Sequence, residues 1–195
     1  MPGNLYATLA LRDPAPPDRL ATLSLAAAVA VREALAGATG SRGFRLKWPN
    51  DVLLDGAKVA GILLEAFVAR GVTWATVGCG INCRSHPPVA AYPTTDLASA
   101  GLAMGPDHLF AALDERMIAA IDRWNRGAGL DAIRDEWMRH AHGLHAPATV
   151  RTPAGTLTGT MRGLAPDGRL LLGTNDGTVT VSAGDLAPPT ERMSD

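Results

Sequence analysis

Apolar positions fall in two rhythms along this chain, and the rhythm changes near residue 147. Residues 5–11, Leu-Tyr-Ala-Thr-Leu-Ala-Leu, read as a buried strand that opens straight after the turn chemistry of Pro2-Gly3-Asn4. Asp13-Pro14-Ala15-Pro16-Pro17 reads as a stiff, non-helical connector, with Asp18 as N-cap of the helix behind it. Leu20, Leu23, Ala27, Val31 and Leu35 then recur at helical spacing, and Gly37 is the expected stop. Residues 44–48 form a short strand ended by Pro49. Residues 52–54 and 58–64 flank Asp55-Gly56, the strongest short hairpin signal. A strand over 72–77 runs into Gly78-Cys79-Gly80-Ile81-Asn82, and Thr95 is placed to cap a short helix reaching Ala100. Leu109, Leu113, Met117, Ala120 and Trp124 stripe a helix over 107–124, and Leu130, Ile133 and Trp137 stripe another over 130–141.

Beyond Pro147 the period shortens. Four runs of about five residues alternate with Pro153-Ala154-Gly155, Pro166-Asp167-Gly168 and Asn175-Asp176-Gly177, the pattern of a small barrel. The chain therefore divides into a mixed α/β unit, residues 1–143, a β unit, residues 144–188, and a loose tail, residues 189–195. So few residues make a marginal core, so the second unit should lean on the first.

Composition narrows the class. Of 195 residues 47% are apolar, too many for a disordered chain. A net charge of −1 with 5% aromatics argues against nucleic acid as the main partner. No uninterrupted apolar run reaches about eighteen residues, so no membrane span is expected. The first residues carry no basic or apolar leader pattern, which gives a cytoplasmic expectation with Cys79 and Cys83 reduced.

The chemistry concentrates in Arg45-Leu46-Lys47-Trp48-Pro49-Asn50-Asp51 and Lys58-Val59-Ala60-Gly61-Ile62-Leu63-Leu64-Glu65. Two lysines lie in otherwise apolar strands, and a buried ammonium needs a carboxylate or a ligand anion. Gly61 opens a gap in mid-strand, and Pro49 stiffens the turn that presents Asn50 and Asp51. This is a kit for a nucleotide phosphate, with Asp51 as a possible metal ligand; a salt-bridged hairpin fits it equally. Cys79, Cys83 and His86 read better as core thiols beside a histidine than as a metal site. His140, His142 and His145 read as favourable charge at a helix C-terminus. Trp124 and Trp137 read as core anchors.

Lys47-Trp48-Pro49-Asn50-Asp51-Val52, with Lys58-Val59-Ala60-Gly61-Ile62-Leu63-Leu64-Glu65 behind it, resembles the central motif of biotin–protein ligases. Gly3-Asn4-Leu5-Tyr6 and Gly78-Cys79-Gly80-Ile81-Asn82 match two further blocks of that family in the right order. Lipoate–protein ligases share the fold and a Lys-x-x-Gly segment, but the Trp-Pro-Asn-Asp run favours biotin.

The resemblance implies an α+β fold, a mixed sheet with helices of the class II aminoacyl-tRNA synthetase and biotin ligase kind, followed by a small SH3-like barrel. It implies ATP and biotin as substrates, magnesium, and formation of biotinyl-5′-AMP. Biotin then passes to a lysine of a biotin carboxyl carrier domain, of acetyl-CoA carboxylase or a related carboxylase. By the same resemblance Lys58 meets the biotin carboxyl and the α-phosphate, Lys47 adds positive field, and Asp51, with Asn50, sits at phosphate and magnesium. Asn82 reads adenine, while Tyr6, Trp48, Gly61 and Leu63 border the pocket. Family members often dimerise, so a homodimer is also implied.

The family carries a Gly-Arg-Gly-Arg-x-Gly-Arg loop ahead of the Gly-Asn-Leu-Tyr block, and this sequence does not contain it. The expectation is a start at an internal methionine of a longer protein. The alternative function is an incomplete fragment, or a protein that binds biotin or the carrier without ligating them. A repressor role is disfavoured, since no helix-turn-helix precedes the first strand.

Overall fold

Strict alternation makes β1 (Leu5–Arg12) a two-faced strand: Leu5 is buried, and every second residue from Tyr6 onward is exposed. The expected fully buried strand is thus corrected. β1 belongs to an antiparallel sheet, and the face that carries Tyr6, Thr8, Ala10 and Arg12 stays in water. The computed structural model describes residues 2–88 and 92–187; the expected tail, 189–195, lies outside them.

The proline-rich connector gives way earlier than its composition suggests. α1 (Pro17–Leu20) begins on Pro17 itself, where a missing N–H costs nothing. Asp18 therefore sits inside the first turn and caps nothing. α2 (Leu23–Thr39) runs through Gly37 and ends at Gly40, whose φ of 71° lets its N–H reach back to the Ala36 carbonyl. α2 buries Leu, Ala and Val on nearly all sides, the signature of a core helix. Residues Pro17–Thr39 reach a mean hydropathy of 1.5, long and apolar enough to cross a membrane, yet the segment is largely buried inside the fold.

Four strands follow β1 in the first sheet: β2 (Phe44–Lys47), β3 (Asp51–Leu54), β4 (Ala57–Ala69) and β5 (Val72–Ile81), in the order β1-β5-β4-β3-β2. All their pairings are antiparallel. Asp55 and Gly56 both take positive φ, as the tight hairpin turn between β3 and β4 requires. β4 pairs with β3 only as far as Gly61 and continues beside β5 alone as a two-stranded arm. The Gly78–Ile81 block lies within β5, not after it. α2 packs across β2 to β5, and α3 (Pro106–Trp124) packs on α2 and β1 with the expected stripe buried. α4 (Leu130–Arg139) follows a single 3₁₀ turn and buries Ile133 and Trp137. Trp124 is a core anchor, its indole N–H donating to Thr22 Oγ1 at 2.8 Å. No helix forms between Thr95 and Ala100. Asp96 closes a turn there instead, accepting from the Ser99 N–H at 2.7 Å and the Ser99 hydroxyl at 2.9 Å.

The second sheet contains β6 (Pro147–Thr152), β7 (Gly155–Leu164), β8 (Leu170–Thr174), β9 (Gly177–Val181) and β10 (Asp185–Ala187), in the order β10-β6-β7-β8-β9 and antiparallel throughout. β10 was not legible: three residues carry no period. Val150, Met161, Leu170, Leu172 and Leu186 join the same buried cluster as α2 and the first sheet. The class is α+β, with an SH3-like C-terminal part.

Candidate functional site

The turn between β2 and β3 sets Lys47 directly opposite Asp51 in the ladder, and Asp51 in turn lies opposite Gly61 of β4. Three residues that the sequence spaces apart thus share one patch of sheet. The Trp48–Pro49 peptide bond is cis. Asn50 ties the turn down twice. Its side-chain N–H donates to the Ile62 carbonyl at 2.6 Å, and its own carbonyl accepts from the Ile62 N–H at 2.9 Å.

Two ammonium groups converge on one carboxylate. Lys58 Nζ lies 2.5 Å from Asp51 Oδ1, an ion pair off the hydrogen-bonding direction. Lys47 Nζ lies 3.5 Å from Asp51 Oδ2 and 2.9 Å from Asp185 Oδ1. The Tyr92 hydroxyl donates to Asp51 Oδ2 and accepts from Lys58 Nζ at 3.4 Å, while Lys47 Nζ sits 4.2 Å from the Tyr92 ring centre. Burial, and then Asp51 itself, drives the Tyr92 phenol far above its ordinary pKa, so it stays a donor. Lys47 is 6% exposed and Asp51 3%, so these are desolvated charges whose neutralisation is obligatory.

Gly61 makes the crowding possible. A methyl group there would lie 3.2 Å from both Cε and Nζ of Lys58. Above this patch opens a groove of about 290 Å³ bordered by Tyr6, Asn50, Lys58, Gly61, Leu63 and Gly80. Tyr6 and Leu63 are well exposed along it.

Lys47, Asp51 and Lys58 form the charged cluster, and Tyr6, Asn50, Gly61 and Leu63 line the groove with Lys58. Trp48 is buried behind the turn and borders a separate cavity, toward the Asp167–Arg169 turn of the second sheet. Asn82 lies past the end of β5. Its side-chain N–H donates to the Thr95 carbonyl at 3.0 Å, and its backbone carbonyl accepts from Leu97. The loop that returns toward Lys58 is therefore anchored on Asn82.

Three polar residues had no role assigned from sequence. Tyr92 and Asp185 complete the charged cluster. Asn4 accepts from the backbone N–H groups of Cys83, Arg84 and Ser85 at 3.0 to 3.2 Å and donates to the Ser85 carbonyl at 2.8 Å. Only Asn4 carried a signal, a short amide following Pro-Gly.

The described residues offer magnesium no all-protein cage; that ion commonly takes one or two carboxylates together with substrate phosphates and water. No group of three or more His, Cys, Asp or Glu side chains gathers among the described residues. Both oxygens of Asp51 are already taken up by two cations and a phenol. The histidine expectation changes. Burial lowers the pKa of His140 and His142, with Arg32 adding to the effect at His140 and Lys47 at His142, so both favour the neutral form. Burial pushes the Cys79 thiol up to about 11, in keeping with a core thiol, and His86 pairs with Asp96 at 2.6 Å.

This fold, with two lysines gathered beneath a glycine gap, is that of the biotin/lipoate A/B protein ligase family, which residues 1–82 match; residues 147–186 match the biotin protein ligase C-terminal domain. The biotin--[acetyl-CoA-carboxylase] ligase of Paracoccus denitrificans is 34% identical, over 94% of this chain and 80% of that protein. The bifunctional ligase/repressor BirA of Bacillus subtilis is 30% identical, over 93% of this chain and 57% of that protein. Among solved structures, the biotin protein ligase from Aquifex aeolicus in complex with biotin and ATP superposes with a TM-score of 0.82 at 25% identity, over 95% of this chain and 78% of that one. The chain belongs to the biotin protein ligase family, a family of enzymes.

Proposed function

We propose that this chain carries the site of an ATP-dependent biotin–protein ligase. One carboxylate oxygen of biotin attacks the α-phosphorus of ATP; the bond to the bridging oxygen breaks and pyrophosphate leaves. The amine of a carrier lysine then attacks the acyl carbon of biotinyl-5′-AMP. A C–N bond forms, the C–O bond to phosphate breaks, AMP leaves and the amine loses a proton. Neither step needs a covalent enzyme intermediate, so positioning and charge supply the catalysis.

The observation that carries this reading is the pair of ammonium groups held against Asp51, with Lys58 opening into the groove beside Gly61 and Lys47 buried behind it against the second sheet. In it Asp51 prepositions the cations. Lys58, the more exposed of the two, exchanges Asp51 for the biotin carboxylate and the α-phosphate. Lys47 faces the departing phosphates, and Tyr6 and Leu63 cover the ring system of biotin. Asn82 meets the adenine edge, one of its N–H donors being held by Thr95. The name of the Paracoccus relative supports the carrier domain of acetyl-CoA carboxylase, or of a related carboxylase, as acceptor. Two unpaired, buried thiols suit a reducing cytoplasm.

The test is incubation with biotin and α-labelled ATP, followed by chromatography for biotinyl-5′-AMP. The parent chain is expected to form it, and Lys58→Ala to lower the rate by about a hundredfold, the usual effect of losing one charge-stabilising donor. Failure of the parent to form adenylate while it still retains the carrier domain would favour the alternative, a chain that binds biotin or the carrier without ligating them, and a Lys58→Ala rate near that of the parent would overturn the role given to Lys58.

A further inference from the structure

We infer that Asp185, on the second sheet, is a positioning residue for Lys47: its carboxylate occupies the ammonium as a stand-in for a phosphate oxygen and thereby sets the anion affinity of the site. The inference rests on the ligase reading and extends it to a residue outside the sequence motifs.

The geometry makes Asp185 the main partner of Lys47. Asp51 cannot serve the buried ammonium well, because its Oδ1 faces Lys58 at 2.5 Å and its Oδ2 takes the Tyr92 hydroxyl. Lys47 is left 3.5 Å from Asp51 and makes its hydrogen bond, at 2.9 Å, to Asp185. Two cations and two carboxylates then sum to zero, a poor resting charge for a site that must attract a polyphosphate. One carboxylate has to yield, and the two differ sharply. Asp51 is 3% exposed and fixed by three groups, whereas Asp185 is 47% exposed and can turn to water at low cost.

Its mounting agrees. Asp185 opens β10, a three-residue edge strand held by β6 alone. Gly184 before it takes a φ of 155°, and a methyl group there would come within 2.6 Å of the Arg151 carbonyl oxygen. Glycine lets β10 lie close against β6 and aims Asp185 at Lys47. An incoming phosphate oxygen therefore competes with Asp185 for one ammonium, and winning it loosens β10.

Titration calorimetry of inorganic pyrophosphate into the full chain tests this. Asp185→Asn is expected to bind about fivefold more tightly, the effect of removing one unit charge about 4 Å away in a water-like medium. Asp185→Glu is expected to restore the parental affinity. Saturating pyrophosphate is expected to speed amide exchange at Asp185–Ala187 in the parent, a response that needs no variant. Equal or weaker binding by a folded Asp185→Asn, or unchanged exchange at β10, overturns this inference alone, because pyrophosphate binding by the parent still supports the anion site. Binding by Asp185→Asn but not by the parent supports it. Binding by neither overturns this inference and the ligase reading together.

Discussion

Gly61 separates folding from function more cleanly than the charged residues around it. Its hydrogen faces the far end of the Lys58 side chain, which can move aside, so Gly61→Ala strains no backbone and meets nothing rigid within 3.4 Å. Removing a glycine also cuts the entropy of the unfolded chain, worth about 0.4–1 kcal/mol where the native angles allow it. Gly61→Ala should therefore melt at or slightly above the parental temperature while adenylate formation falls at least tenfold, a split that thermal melts and the adenylation assay together read out. The sequence made Lys47, Asp51, Lys58 and Gly61 legible because charges inside apolar strands must find partners and a mid-strand glycine marks a close approach. It could not show Tyr92 and Asp185. They join Lys58 and Lys47 across 34 and 138 residues of chain, and an ordinary tyrosine before a proline or aspartate after a glycine carries no mark of that destination.

At the scale of elements, β1 is laddered to β5 along its length, and one side chain extends that link to the segment beyond Asn82. Asn4 at the head of β1 satisfies three successive backbone N–H groups just beyond β5. Asn4→Ala leaves those half-exposed donors to water, at a cost of about 0.5–1.5 kcal/mol for each bond lost. The expected result is a lower urea midpoint and faster amide exchange confined first to residues 83–85, next to Asn82. Long elements were legible because their periods repeat: the stripes of α2 and α3 and the Asp-Gly hairpin all hold. Misreadings cluster where one local rule met another. Proline breaks helix interiors, yet the first turn tolerates it at Pro17; Thr95 has the chemistry of a cap, yet Asp96 closes the turn. Two glycines compete as helix stops, and Gly37 lies one turn inside α2 while Gly40 ends it.

The whole molecule should be acid-sensitive with a particular sign. His140 and His142 join α4 to the segment leading into β6, and both have folded pKa values below the ordinary 6.5. The unfolded chain therefore takes up protons first, and stability falls as pH drops below about 6.5 until the lowered values are passed. Asp96 and Asp167, whose folded values lie below 3.8, weaken the fold only in stronger acid. Melting temperatures followed from pH 7.5 to pH 5 should decline, and a His140→Gln/His142→Gln double variant should flatten that limb while leaving the more acidic one. A parental curve that stays level over that range would contradict the assignment.

The arm formed by β4 and β5 has a consequence for the molecule in company. Past Gly61 no strand among the described residues lies on the outer side of β4, and Phe67 and Val68 stand exposed, at 50% and 71%, near its tip. Beyond Ile62, whose main chain is bonded to Asn50, this strand edge beside two greasy side chains forms a template on which a foreign strand can zip up. Association at high protein concentration is the hazard this edge brings, and a single lysine in place of Val68 would blunt it without touching Lys58 in the groove.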